Sequence, residues 1–355
     1  ASRYFEATPL KDFRQILADK SIDAVCISTP DHWHAYMTVE ACKAGKDVYV
    51  EKPACTTVDE ARIMVQAARK YNRIVQLGTM QRSGTHFQQA TELVRTGQLG
   101  KVTFCRGWNY SLLPQEGYGN PPDSAPPATL DWDLWLGPAP MRPFNQNRFG
   151  VAPRRFSSFR FFWDYAGGIM TDWGIHMMDV VQMGTGDAAP KSVAALGGRY
   201  WVKDNTETPD TLQVTYEYPD GFVAAYEYRA GNGNSMFNQN YGTIFHGTAG
   251  TLFVDRSLYG VVPEEGSTLA ATTGKQSNDS NVAHWANFID CVKTRRKPIC
   301  DIEIGARSTV MCLLANVALR SGRKLDWDEA NWTTVQPEAR PLLTREYRAP
   351  WKLEL

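Results

Sequence analysis

Between residues 8 and 97 the chain alternates between two hydrophobic rhythms. Segments with apolar residues three and four apart predict helices, and short runs that are apolar throughout predict buried strands. "TPLKDFRQILADK" reads as a helix with Thr8 as cap, Pro9 in the first turn, and Leu10, Phe13, Ile16 and Leu17 on one face. "IDAVCIST" is a strand, "DHWHAYMTVEACKAGK" a helix that stops at Gly45, and "DVYV" a second strand. "TTVDEARIMVQAARKY" opens with a capping box from Thr57 to Glu60. "RIVQLG" is a third strand, and "FQQATELVRTG" a helix ending at Gly97. Continuous apolar strands between amphipathic helices mean a parallel sheet covered on both faces, here a partial doubly wound α/β domain over residues 1–99. Such sheets bind ligands at the carboxyl ends of their strands. Those ends, "STPDHWH", "EKP" and "GTMQR", are all polar.

From Gly100 the rhythm changes, and residues 100–355 read as a second, α+β domain with a large open antiparallel sheet. "KVTFCRGWNY" begins it, followed by a Pro-rich stretch over 112–154. A helix over 167–183 leads to strands near 191–203, 210–218, 222–229 and 241–255. Pro219-Asp220-Gly221 and Thr248-Ala249-Gly250 mark turns. The small polar residues of 264–281 predict a mobile loop. Helices near 282–295 and 303–321 close the domain, and "EYRAPWKLEL" is an extended tail.

Composition narrows the functions. The chain has 355 residues, of which 43% are hydrophobic, enough for two packed domains. Lys plus Arg (38) equals Asp plus Glu (38), so no global field gathers nucleic acid or an anionic membrane. The cysteines at 26, 42, 55, 105, 291, 300 and 312 form no CxxC pair. They read as reduced core thiols and point to the cytoplasm. No apolar run is read as a membrane span.

Three segments carry candidate chemistry. In "GGIMTDWGIHMMDVVQMG", residues 167–184, Asp172, His176 and Asp179 share one stripe of an otherwise apolar helix. Buried charges need partners or a ligand, so the stripe reads either as a satisfied structural pair or as a site. A metal would need a third ligand that no spacing supplies, and none is assigned. In "TPDHWHA", Asp31 reads as a helix cap, His32 and Trp33 as surface residues, and His34 as either structural or ligand-facing. Lys52, between Glu51 and Pro53, is half of a surface ion pair or a proton-exchanging group on the ligand rim. A nucleotide loop would strengthen the second reading. The one G-x-G-x-x-A match, "GTGDAA" at 184–189, follows a helix instead of a strand and is rejected.

Together, "DAVCISTPDHWHAYMTVEACKAGKDVYVEKP" and "GGIMTDWGIHMMDVV" resemble the glucose–fructose oxidoreductase/inositol dehydrogenase (Gfo/Idh/MocA) family. The resemblance implies a Rossmann domain and an antiparallel-sheet domain with NAD or NADP between them. It implies hydride transfer between the nicotinamide and a secondary hydroxyl of a sugar, glycoside or cyclitol. By position, Lys52, Asp172 and His176 match the family's catalytic residues, with Asp172 orienting and charging His176. Ser28, Thr29, Pro30, His34 and Glu51 match segments lining the nicotinamide half of the cofactor, with Gln81 and Arg82 at the next strand end. Trp163 and Tyr165 lie where cofactor and substrate meet, and Trp108 and Tyr110 join them as candidate sugar-stacking aromatics. Family members begin with a strand, a GxGxxG turn and a second strand that this sequence lacks. The resemblance therefore leaves the pyrophosphate site and the NAD/NADP choice outside it. Two other functions share the motifs: a glycosidase-like enzyme that oxidises its sugar transiently, and an inactive fragment unable to hold the dinucleotide. Family analogy also implies a homodimer or homotetramer, and a periplasmic location had an export signal preceded the chain.

Overall fold

The computed structural model describes residues 7–150 and 157–355. The first six residues and part of the Pro-rich stretch at 112–154 lie outside the described residues. Strands β1 (Ala24–Ile27), β2 (Asp47–Val50) and β3 (Val75–Leu77) form a parallel sheet in that order. All of β2 and β3 is buried, as expected for apolar strands covered on both faces. Helix α1 (Phe13–Ala18) precedes β1, and α2 (His34–Lys43) and α3 (Val58–Lys70) connect the strands. The capping box forms as expected. Glu60 N donates to Thr57 Oγ1 at 3.4 Å, and Glu60 Oε2 accepts from Thr57 N at 3.0 Å. Such caps are worth about 1 kcal/mol. Two local expectations shift. Helix α1 is capped by Asp12 in place of Thr8, because Asp12 Oδ1 reaches Arg14 N at 2.9 Å. Asp31, His32 and Trp33 form a separate 3-10 turn, so α2 starts at His34.

Helix α4 (Thr85–Arg95) leads into β4 (Val102–Tyr110), the first strand of a ten-stranded sheet. Two short helices, α5 (Trp132–Leu136) and α6 (Gln146–Phe149), lie in the Pro-rich stretch. A π-helical turn, Met170–Gly174, then runs into α7 (Ile175–Thr185). The other strands are β5 (Ser192–Gly198), β6 (Thr211–Glu217), β7 (Val223–Arg229), β8 (Tyr241–Gly247), β9 (Gly250–Val254), β10 (Leu258–Pro263), β11 (Thr272–Lys275), β12 (Leu325–Asp328) and β13 (Thr333–Thr334). The order is β11-β10-β9-β8-β4-β7-β6-β5-β12-β13, antiparallel throughout except for the parallel pair β4–β7. The expected strand over 241–255 is two strands joined at Thr248-Ala249. Part of the expected mobile loop is β11, paired with Leu258–Val261.

The two C-terminal helices, α8 (Ser280–Thr294) and α9 (Ile302–Ser321), reach back to the parallel sheet. Phe288 and Cys291 of α8 pack with Tyr49 and Ile74, and Gln76 Nε2 donates to His284 O at 2.9 Å. The β3 edge is met by the chain entering α9, where Leu77 N donates to Cys300 O at 3.0 Å. Helix α9 is the single described helix long and apolar enough to cross a membrane, which corrects the reading that no run qualifies. Its apolar residues have a different use here, since Ala306 through Ala318 are almost all buried. Tyr216 of β6 donates to Met311 O at 3.0 Å. The helix is a central pillar between the parallel sheet and the large one.

Candidate active site

The site forms where the strand ends of the parallel sheet meet the start of α7. Gly168 lies at φ +67° with Thr208 against its Cα, where a Cβ would fall 2.7 Å from Thr208. Glycine alone adopts that backbone cheaply and admits that neighbour. The π turn that follows adds a residue to the helix, a feature frequent at functional sites. It presents Asp172 toward the parallel sheet.

Lys52 leaves the end of β2 and crosses to this turn. Its Nζ donates to Asp172 Oδ1 at 2.6 Å and to Asp172 O at 2.8 Å. Arg160 Nε lies 3.0 Å from the same Oδ1. Burial pushes the Asp172 carboxyl up, but the two cations outweigh it and hold the group below the usual carboxylate range. His176 follows one turn later. It is 4% exposed, and its Nδ1 is buried without a hydrogen-bond partner. Burial, reinforced by the neighbouring Lys52 and Arg256 cations, keeps the imidazole well below its ordinary range. It is therefore neutral at pH 7. The expectation that Asp172 orients and charges His176 is corrected: with two cations in reach, the carboxylate pairs with them and leaves the neutral ring alone.

The rim residues divide into those with open polar atoms and those bonded within the fold. Ser28 is exposed, and Thr29, Pro30 and Glu51 are half-buried at the strand ends. Thr29 Oγ1 and Gln81 Oε1 are buried with no partner. Glu51 lies across Gly78, where a Cβ would fall 2.9 Å from Glu51 Oε1; any larger residue would displace the carboxylate. His34 is 1% exposed, with ring nitrogens 2.7 Å from Pro53 O and 2.8 Å from Thr29 O. It ties the first two strand ends together instead of facing a ligand. Arg82 is likewise corrected. Its Nε donates to both Asp179 oxygens at 2.9 Å, and Nη2 to Asp187 at 2.7 Å. A guanidinium so paired in the core serves the fold through Asp179 and Asp187.

The aromatic candidates are mostly elsewhere. Thr243 of β8 donates to Met177 O at 3.1 Å, and Thr243 is opposite Gly107. Gly107 and Asn109 therefore face α7, and by strand alternation Trp108 and Tyr110 face away. Trp108 is fully buried there, with Nε1 donating to Gln239 O at 3.1 Å. Tyr110 donates to Glu227 and stacks under Arg229. Both leave the list of substrate residues. Tyr165 is fully buried among His32, Trp135 and Phe162, and Trp163 is half-buried beneath the Arg320 guanidinium. His32 and Trp33, read as surface residues, are buried, with both rings directed at Trp135 O.

Several residues missed in the sequence surround the crevice. Asn109, Tyr228 and Tyr241 lie in register on the α7 face of adjacent strands. Trp173 packs against Tyr241 and His176. Asp31 is 2% exposed, with Oδ2 unpartnered; burial pushes its carboxyl up to about 7, close to Arg160, Asp172 and Lys52. A pocket of about 550 Å3 opens beside Gly168, lined by Tyr118, Phe161, Asp204, Thr208, Asp210 and Tyr228. The expected role of Asp31 as a helix cap is corrected, since no side-chain cap bond forms there, and for Phe161 and Trp173 only the aromatic composition of "SFRFFW" and "DWG" gives a hint.

Known proteins bear on this arrangement. Residues 1–79 match the model of the Gfo/Idh/MocA oxidoreductase family, NAD-binding Rossmann fold, and residues 83–353 that of its C-terminal alpha/beta domain. An uncharacterised oxidoreductase of Bacillus subtilis, YrbE, is 36% identical over 89 residues, 25% of this chain and 26% of that protein. The scyllo-inositol 2-dehydrogenase (NAD(+)) of the same organism is 31% identical over 98 residues, 28% of this chain and 29% of that protein. The matches thus span about a quarter to a third of these relatives' length. A levoglucosan dehydrogenase solved with NADH and levoglucosan shares the fold, with a TM-score of 0.70 at 17% identity over 92% of this chain and 85% of that one. With both family models matched across nearly its whole length, the chain belongs to the Gfo/Idh/MocA oxidoreductase family.

Proposed function

We propose that this chain is an NAD(P)-dependent dehydrogenase acting on a secondary hydroxyl of a sugar, glycoside or cyclitol. The observation that carries this reading is the Lys52–Asp172 bridge. It brings an ammonium from the parallel sheet to within one helical turn of His176, a buried imidazole with an unpartnered nitrogen. The unpaired Thr29 Oγ1, Asp31 Oδ2 and Gln81 Oε1 and the Glu51 carboxylate fit a ligand rich in hydroxyl and amide groups, as the nicotinamide half of NAD(P) is. Ser28, Thr29, Pro30, Glu51 and Gln81 would hold it. When bound, that group accepts or gives the hydride. The relatives named above include enzymes of this type by name, acting on an inositol and on levoglucosan.

The chain's own residues handle the proton. Neutral His176 accepts the proton of the reacting hydroxyl. Lys52, held in place by Asp172, donates a hydrogen bond to the same oxygen and stabilises its developing negative charge. Arg160 keeps Asp172 ionised and thereby fixes Lys52. Phe161, Tyr118 and Tyr228 offer apolar faces for the sugar ring in the adjoining pocket. The seven free cysteines support a reducing compartment such as the cytoplasm. Exposed Leu196 of β5 and Val262 of β10, with Phe237 of the loop before β8, support a homodimer or homotetramer joined on the sheet face away from α7.

The test is incubation of the chain with NAD+ or NADP+ and a panel of sugars, glycosides and cyclitols, following reduced nicotinamide by absorbance. Bulk accumulation of reduced cofactor with at least one substrate is expected. Glycoside cleavage without net reduction would assign the glycosidase-like activity instead. No binding of either dinucleotide by calorimetry would refute the dehydrogenase reading for this chain.

A further inference from the structure

Arg256 sits in the turn between β9 and β10, on the side of His176 that Lys52 does not occupy in sequence or domain. Its guanidinium lies 5.0 Å over the Trp173 ring and 6.0 Å from the Tyr241 ring. Trp173 in turn packs against His176, and Tyr241 stands opposite Asn109 on the sheet face that looks at α7. The Arg256 charge acts on both His176 and Asp172. This cation therefore borders the reacting centre from the second domain.

One of its donors is unmet inside the protein. Nε is buried without a partner, and among the described residues no carboxylate pairs with the guanidinium. The adjacent carboxylate, Asp255, is turned into the hairpin, where Oδ1 accepts from Ser257 N at 2.7 Å and Leu258 N at 2.9 Å. Asp172 is already held by Lys52 and Arg160. Stacking on aromatic rings orients a guanidinium but leaves its N–H donors free. Burying Nε without an acceptor carries a cost, and Arg82 shows the same fold meeting a guanidinium with two carboxylates. The planar fork matches carboxylate and phosphate oxygens.

Resting on the dehydrogenase reading, we infer that Arg256 receives an anionic group, carboxylate or phosphate, carried by the substrate close to its reacting hydroxyl. The substrate class is then an acidic sugar or cyclitol, and Arg256 is the residue that selects it over the neutral polyol.

Calorimetric titration of the full chain with matched pairs tests this: D-glucuronate and glucose 6-phosphate against glucose, and D-galacturonate against galactose. At least one acid is expected to bind about ten-fold or more tightly than its neutral partner, the scale of one charge-assisted contact. The uronates and the phosphate separate the two anion types. Arg256→Met is expected to collapse the acid-to-neutral ratio toward one, and Arg256→Lys to leave an intermediate ratio. For the unaltered chain, added NaCl is expected to reduce the ratio, a readout that does not depend on any variant folding. Neutral sugars binding as well as every acid, or an acid preference that survives in Arg256→Met, would overturn the inference. Because binding is read without turnover, an Arg256-dependent acid preference with no reduced cofactor would sink the dehydrogenase reading alone. Reduced cofactor formed on neutral sugars only would sink the Arg256 inference alone.

Discussion

Asp172 and Asp179 stand two turns apart on one helical segment, yet they belong to different kinds of structure. Asp179 is closed on every side. Arg82 meets both its oxygens, Ser308 donates at 2.5 Å, and the pair is 5% and 1% exposed. Asp172 and Lys52 are 14–17% exposed, and around them His176 Nδ1 and Asp31 Oδ2 have no partner. Both clusters hold buried charge, so burial alone does not distinguish scaffold from site. The difference lies in what surrounds each carboxylate: Asp179 is met on both oxygens by a guanidinium and a hydroxyl, whereas the open polar atoms near Asp172 sit beside the strand-end rim.

The sharpest way to break this contrast is to neutralise one cation in each cluster. Lys52→Met is expected to lower turnover by about 10^2- to 10^4-fold, the usual scale of acid–base assistance. It should cost less stability than the loss of Arg82, about 1–2 kcal/mol, because Arg160 still faces Asp172. Arg82→Met should do the reverse, costing about 3–5 kcal/mol by leaving Asp179 charged and uncompensated in the core. Steady-state kinetics beside denaturant unfolding read both. Equal stability losses in the two variants would erase the distinction.

Asp31 offers a second test, through pH. Its carboxyl, ordinarily ionised above 3.8, stays protonated in the fold up to about 7 because burial disfavours the charge. The folded state thus keeps a proton that the unfolded chain has released, and stability falls as pH rises between those values. Asp31→Asn is neutral throughout and removes that slope. Its stabilisation should be about 2–3 kcal/mol larger at pH 8 than at pH 5, from about 1.4 kcal/mol per pH unit. A pH-independent difference in unfolding free energy would show that Asp31 is not the buried acid described. The smallest contrast is between neighbours on β4. Asn109→Ala, on the α7 face, should lower kcat/KM by about ten-fold, and Tyr110→Phe, on the far face, by less than about two-fold.

How far the sequence discloses these features depends on range. The Thr57–Glu60 cap is legible because its atoms lie within four residues, and the continuous apolar strands announce the parallel sheet. Lys52 and His176 are legible as motif residues, although the partner of Asp172 is not, since Arg160 and Lys52 reach it from 12 and 120 residues away. Arg82 resembles a rim residue until Asp179, 97 residues later, claims it. Trp108 and Tyr110 attract attention as aromatics, but alternation fixes only that they share a face. Which face looks at α7 is decided by β8 packing under Met177. Helices α8 and α9 carry no mark of which sheet they serve, because either would bury the same apolar stripes. Arg256 has no motif at all, and its interest comes from the missing anion.

In the proposed mechanism Lys52 and His176 act on one substrate oxygen. A crystal structure of the chain with NAD(P) and a substrate from the panel measures this directly. Both Lys52 Nζ and a ring nitrogen of His176 should lie within about 2.6–3.2 Å of the reacting hydroxyl oxygen. A bound substrate whose hydroxyl nearest the nicotinamide touches neither group would contradict it.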